Sequence, residues 1–245
     1  MSFFSKLRIV GTRDVSPLPP TVTRVHMPAG GHISAPGARN SSAQSDLRVS
    51  NGLKEFLWHL DGLGRGSLLD LGPAWQTTIS FFVERGFKVY AEDVLRAWKD
   101  FLAAEEDRLR SVTLESDPTD LTPESRATRF LQANLQYPAG SFDAMLLWDL
   151  LDFLEPALAK RTVAHLTELI RPGGVLLAMF HSKKPEGFNR YRVVDTQTLQ
   201  VLPTPILCAA QRVYQNREIQ DLFRLYRTSK SFVGRDQLRE VLFLK

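Results

Sequence analysis

Asp70-Leu71-Gly72-Pro73-Ala74-Trp75-Gln76 and, further on, Glu92-Asp93 are the residues whose types and spacing first suggest chemistry. An acid closes an apolar run, a glycine follows two residues later, and a second acid stands 21 residues beyond that glycine. Such an acid accepts hydrogen bonds from both hydroxyls of a ribose, while the tight turn lets backbone approach the ligand. The turn also selects among nucleosides. A pyrophosphate needs G-x-G-x-x-G, and here Gly72, Ala74 and Thr77 occupy those places. One glycine of three disfavours NAD and leaves S-adenosylmethionine, which has no phosphates, as the natural cofactor. Asp70 has a structural role open to it as well, since its carboxylate can bond backbone amides and shape the turn.

A second group of candidates follows the later apolar runs. Trp148 and Asp149 come directly after Phe142–Leu147, His181 directly after Val175–Phe180, and Tyr191 lies a little beyond. Asp149, His181 and Tyr191 are the residues placed to take a proton from a reacting group. Lys183, Lys184, Arg190 and Arg192 suggest an anionic acceptor, with a solvated basic surface as the plain alternative. From His181 to Lys245 there are 12 Lys and Arg against 6 Asp and Glu, although the net charge of the chain is only +4. That local excess leaves nucleic acid open as a partner.

Alternating strands and helices must position these residues. Residues 1–49 are rich in Pro, Gly and Ser and read as a flexible arm; the domain spans 50–245. Ser50-Asn51 caps a helix carrying Leu53, Phe56, Leu57 and Leu60 on one face. Ser67–Leu71 reads as a buried strand, Trp75–Arg85 as a helix closed by Gly86, and Phe87–Ala91 as a second strand. A helix bearing Leu95, Trp98, Phe101 and Leu102 comes next. Thr128–Leu131 is expected as a further strand, then Phe142–Trp148, a helix over Ala157–Ile170, the Pro172-Gly173-Gly174 turn, and strand Val175–Phe180. Residues 183–215 form an insertion suited to a substrate lid, with short strands at Tyr191–Val194 and Leu199–Leu202. A helix at Asn216–Tyr226 and a hairpin through Gly234-Arg235-Asp236 complete the chain. This order argues a parallel sheet wrapped by helices.

In motif order the chain resembles the class I S-adenosylmethionine-dependent methyltransferases over roughly Leu53–Lys245. Leu68-Leu69-Asp70-Leu71-Gly72 is similar to their first motif, and Val89–Val94 to the second, whose acid matches Asp93. Gln132-Ala133-Asn134-Leu135 stands where the family meets the adenine, and Leu169–Leu176 matches its helix-to-fifth-strand turn. The resemblance implies a Rossmann-like, doubly wound, mostly parallel seven-stranded sheet with a C-terminal antiparallel hairpin. It implies cofactor contacts from Asp70, Gly72, Pro73, Ala74, Asp93, Asn134, Leu135 and Trp148. Methyl transfer to an unidentified acceptor by in-line displacement is the activity implied. Ala74 and Gln76 depart from the family's second and third glycines. They give weight to the alternative, a catalytically inactive binding or regulatory module in the same fold.

Composition sets outer bounds. With 43% apolar and 24% charged residues among 245, the chain is an ordinary globular one rather than fibrous or wholly disordered. The lone Cys208 makes no internal disulfide, and neither it nor the five histidines show metal-ligand spacing. No run approaches a membrane span, so a cytoplasmic protein is expected.

Overall fold

A computed structural model describes residues 46–111, 122–204, 208–234 and 236–245. Most of the expected arm, and Arg235 of the expected hairpin turn, lie outside the described residues. The central sheet has six strands in the order β3-β2-β4-β5-β9-β8. They are β2 (Gly66–Asp70), β3 (Phe87–Ala91), β4 (Phe142–Trp148), β5 (Ile170–His181), β8 (Thr228–Val233) and β9 (Leu238–Leu244). β2 is parallel to β3 and β4, and β4 to β5, whereas β9 runs antiparallel to both β5 and β8. The fold is therefore a mostly parallel, Rossmann-like α/β sheet ending in the expected antiparallel hairpin.

The sheet is one strand smaller than expected, for a local reason. Thr128–Leu131 lies within helix α4 (Pro123–Asn134). The Thr122 side chain accepts from the Ser125 N–H at 3.2 Å, and Pro123 starts the helix, where its missing N–H costs nothing. Ala127, Phe130 and Leu131 then fall on one buried face. That spacing is helical, and the β-branched Thr128 does not override it.

Helices cover both faces. Helix α1 (Asn51–Leu60), capped by the Ser50 hydroxyl, and α2 (Gln76–Val83) pack Leu53, Phe56 and Phe82 against Leu68, Leu146 and Leu177. The opposite face is closed by α3 (Val94–Ser111), α4, α5 (Pro156–Leu169) and α6 (Asn216–Leu222), through Trp98, Phe130, Val163 and Phe223 among others. Alternating apolar stripes thus hold the parallel strands in register, so that their carboxyl ends lie along one edge.

A second, three-stranded antiparallel sheet was not legible as a unit. Its order is β1-β7-β6: β1 (Asp46–Val49), β6 (Asn189–Val193) and β7 (Thr198–Pro203). Two of these strands come from the 183–215 insertion. The third corrects the arm boundary, because Asp46–Val49 pairs with Thr198–Val201 instead of preceding the ordered domain. Tyr191, Val193 and Leu199 pack into the same cluster as α1 and α2, so this sheet covers the main sheet's face. Arg48 fixes β1 there. Its guanidinium lies 2.8 Å from the buried Glu240 carboxylate and 2.7 Å from Asp236. No helix among the described residues is long and apolar enough to cross a membrane.

Candidate functional site

Strand order reverses between β2 and β4: the chain passes from β2 outward to β3, then returns to the other side for β4. Ligands in such sheets bind beyond the carboxyl ends at this switch point. Asp70 ends β2 and Trp148 ends β4, so the two meet there. Asp70 Oδ1 accepts from the Gly72 N–H at 3.0 Å and from the Trp148 indole N–H at 2.7 Å. Desolvation is the chief cause that raises the Asp70 pKa to about 7, against the two hydrogen bonds that lower it.

Trp148 sits in left-handed backbone, with φ 50°. Its indole stacks on Tyr191 with ring centres 5.3 Å apart and planes 9° from parallel. It also explains the one glycine that the turn retains. A Cβ at residue 72 would stand 2.6 Å from Trp148 Cδ1, so Gly72 makes room for the indole. Crowding of the turn therefore comes from Trp148 and not from Ala74, which is exposed. Pro73 is half-buried in the same turn.

Asp93 lies just past β3. Its Oδ1 accepts from the Arg96 N–H at 3.2 Å and caps α3. Burial raises its pKa, opposed by that hydrogen bond and by the charges of Arg96 and Arg190. The neighbouring Glu92 is engaged elsewhere, accepting from the Tyr137 hydroxyl. Arg190, on β6, stacks its guanidinium 4.5 Å above the Trp75 ring. The small sheet thus reaches the turn that follows β2, and its Val193 N–H also donates to Thr78 Oγ1 at 3.0 Å.

The adenine candidates are placed less directly. Asn134, in the last turn of α4, donates its amide N–H to the Phe130 carbonyl at 2.9 Å, which leaves its side-chain oxygen as an acceptor. Leu135 is a core residue, and its carbonyl is 2.9 Å from His165 Nε2.

Asp149, His181 and Tyr191 are brought together, along with Asp152, which sequence reasoning missed. The Tyr191 hydroxyl donates to Asp149 Oδ2 at 3.0 Å. His181 Nε2 is 3.7 Å from the same oxygen, and its Nδ1 is 2.9 Å from Asp152 Oδ2. The backbone N–H of His181 donates to that Asp152 oxygen at 2.7 Å. A short 3-10 turn, Leu150–Phe153, brings Asp152 back beside Asp149. Three-residue spacing after a strand end was the available signal. Burial raises the Asp149 pKa to about 7 despite the opposing His181 charge and Tyr191 hydrogen bond. Asp152 moves upward for the same first reason, and Tyr191 is pushed well above its ordinary value by burial and then by Asp149.

Four buried polar atoms of these residues lack a hydrogen-bond partner: Trp75 Nε1, Arg190 Nε, Asp149 Oδ1 and Asp152 Oδ1. Other buried polar atoms among the described residues share this state, Thr162 Oγ1 and Arg192 Nε among them, so the four offer hydrogen-bonding capacity that water or a ligand can use. Among the described residues no group of His, Cys, Asp and Glu could hold a metal ion.

Solved methyltransferases are similar to this chain. One is the 1,6-didemethyltoxoflavin N1-methyltransferase of Burkholderia thailandensis, 17% identical, with 79% of this chain and 75% of that one covered at TM-score 0.40. That structure contains S-adenosylhomocysteine. An S-adenosylmethionine-dependent methyltransferase of Mesorhizobium loti is 13% identical, with coverage of 78% and 96% at TM-score 0.44. One from Methanosarcina mazei is 13% identical, with coverage of 77% and 96% at TM-score 0.42. No family model and no curated protein matches. The strand order and switch-point residues of the chain itself carry the fold.

Proposed function

We propose that this protein is an S-adenosylmethionine-dependent methyltransferase with its cofactor site at the β2/β4 switch point. The carrying observation is that Asp70, ending β2, and Asp93, just past the end of β3, stand at the carboxyl edge of adjacent parallel strands where the sheet order reverses. Asp93 is suited to hold the ribose hydroxyls, and the Asn134 oxygen to accept from the adenine amine. Asp70 holds the Gly72 turn in place. These residues fit the nucleoside half as they stand. Over Gly72, where the methionine part would pass, the structure places the Trp148 indole. When bound, the cofactor supplies a methyl group on a sulfonium that is already a good leaving group, so the chain's work is orientation and proton removal.

A second reading, a non-catalytic module in the same fold, is favoured by the Trp148 packing itself. The indole bonds Asp70, rests on Gly72 and stacks on Tyr191, filling the turn with the chain's own side chain. Calorimetric titration with S-adenosylmethionine and S-adenosylhomocysteine decides between them. The methyltransferase reading expects dissociation constants of about 1–100 μM, or roughly −8 to −5.5 kcal/mol. Absence of heat at millimolar ligand selects the non-catalytic module.

A further inference from the structure

Asp149 and Asp152 are both fully buried, and each leaves Oδ1 without a hydrogen-bond partner. One imidazole, His181, faces both carboxylates. The nearby guanidinium groups are directed elsewhere. Arg239 donates to the backbone carbonyls of His181, at 3.1 Å, and of Tyr214, and to Asn216 Oδ1 at 2.6 Å. Arg48 pairs with Glu240 and Asp236. Buried carboxylate oxygens without donors are costly, and a ligand bearing N–H groups is what satisfies them. A carboxylate offers acceptor oxygens only and does not satisfy oxygens that lack donors.

We infer that Asp149, Asp152 and His181 form the acceptor end of the site, and that the acceptor is a nitrogen nucleophile, an amine or amidine. This rests on the methyltransferase reading above, and it replaces the anionic acceptor suggested by Lys183, Lys184, Arg190 and Arg192. The acceptor's N–H groups bond Asp149 Oδ1 and Asp152 Oδ1. One proton then passes from the acceptor nitrogen to His181 Nε2: the N–H bond breaks, its electron pair stays on the acceptor as the nucleophilic lone pair, and an Nε2–H bond forms. Asp152 also acts as a positioning residue, holding Nδ1 so that Nε2 faces Asp149. Tyr191 occupies Asp149 Oδ2 and leaves Oδ1 for the ligand.

A cavity lies on the far side of two aromatic rings from the cluster. Its volume is about 690 Å³, and it is lined by Phe188, Asn189, Thr204 and Cys208, among others. The Phe188 ring meets the Phe153 ring edge-on at 5.1 Å, and Phe153 meets the His181 ring at 6.2 Å. Two packed aromatic rings, Phe153 and Phe188, therefore stand between the cavity and the imidazole.

The test uses the full chain saturated with S-adenosylhomocysteine and probed by ligand-observed NMR with benzylamine, benzamidine, benzyl alcohol and benzoate. Benzylamine and benzamidine are expected to bind in preference to the other two. Asp149→Asn and Asp152→Asn should each weaken amine binding by about tenfold or more, the scale of one charge-assisted hydrogen bond. S-adenosylhomocysteine affinity should stay unchanged in both variants, which reports folding. His181→Gln serves as a further variant if either substitution fails to fold. The ¹⁵N shifts of the His181 ring should move on adding benzylamine and stay still with benzyl alcohol. Preference for benzoate, or no amine binding by a chain that does bind S-adenosylhomocysteine, overturns the inference. Failure to bind S-adenosylhomocysteine overturns the reading beneath it.

Discussion

The Trp148 indole donates a 2.7 Å hydrogen bond to Asp70, joining residues 78 apart in sequence at the one point where sheet order reverses. The bond makes the side chain after β4 part of the turn after β2. It also fills the space over Gly72 with a single buried ring.

Trp148→Ala should therefore move two quantities in opposite directions. Removing a buried aromatic ring should cost about 3–5 kcal/mol of stability, measured by denaturant unfolding. Opening the space over Gly72 should tighten S-adenosylhomocysteine binding, measured by calorimetry. In the parent chain the same ligand should change tryptophan emission, because it displaces the indole from Asp70. Unaltered or weaker affinity in the variant would show that the indole supports the bound state instead of blocking it.

Asp93→Ala should weaken S-adenosylhomocysteine binding about tenfold or more, since one hydrogen bond to a charged group contributes about 1.5–3 kcal/mol. Asp93 also caps α3 through Arg96 N–H, so some loss of stability is expected alongside, about 1 kcal/mol. Asp93→Asn separates the effects, because the amide oxygen still caps the helix while the charge is gone. If both variants bind like the parent, Asp93 is a cap and nothing more.

The β2-turn-α2-β3 unit was legible because its signals are local: an apolar run, a glycine stop and a helical stripe within some 25 residues. The same holds for β4, for Val175–Phe180 and for the C-terminal hairpin, whereas the expected end of the helix at Ile170 and the Pro172-Gly173-Gly174 turn prove to be the first part of β5. What escaped the sequence depends on distant partners. β1 points Leu47 and Val49 outward and Arg48 inward, the reverse of the usual strand pattern, so hydropathy could not reveal it. Asp236 and the buried Glu240, far along the chain, make that orientation favourable. Asp152 escaped for a related reason: it sits in an apolar run, Leu150–Leu154, where the eye reads core, and its role depends on His181. The degenerate glycine turn was visible, but its cause was not, because the indole that fills it comes from another strand.

Stability should fall as pH rises through the neutral range. Asp70 and Asp149 have folded pKa values raised to about 7, both chiefly by burial, from 3.8. An acid with a raised folded pKa binds more protons folded than unfolded, so stability is lost with rising pH between its unfolded and folded values. The window is about pH 4 to 7, and each group's contribution is on the order of a few kcal/mol. Asp152 and Asp93 shift in the same direction. Urea midpoints should be higher at pH 5 than at pH 8, and Asp70→Asn with Asp149→Asn should flatten that difference. A parent chain more stable at pH 8 would place the charged forms of these carboxylates in better company than burial allows.

The Arg48–Glu240 pair gives the last test, and it concerns how the site is covered. Glu240 Oε2 accepts from the Gly52 N–H at 2.5 Å, and Oε1 lies 2.8 Å from Arg48. The carboxylate thereby links α1, β1 and β9. Arg48→Met leaves a buried charge without its counter-ion and should cost about 3–5 kcal/mol. Arg48→Met with Glu240→Gln should recover much of that, because the neutral amide keeps the Gly52 contact without the desolvated charge. Truncation tests the strand itself: a chain starting at residue 50 should melt lower than one starting at residue 46, since only the longer keeps β1 on β7. β7 pairs in turn with β6, which carries Tyr191 and Arg190 over the switch point. Loss of β1 should therefore loosen the Trp148–Tyr191 stack as well, raising solvent quenching of tryptophan emission. Equal melting temperatures for the two truncations would detach β1 from the stability of the site.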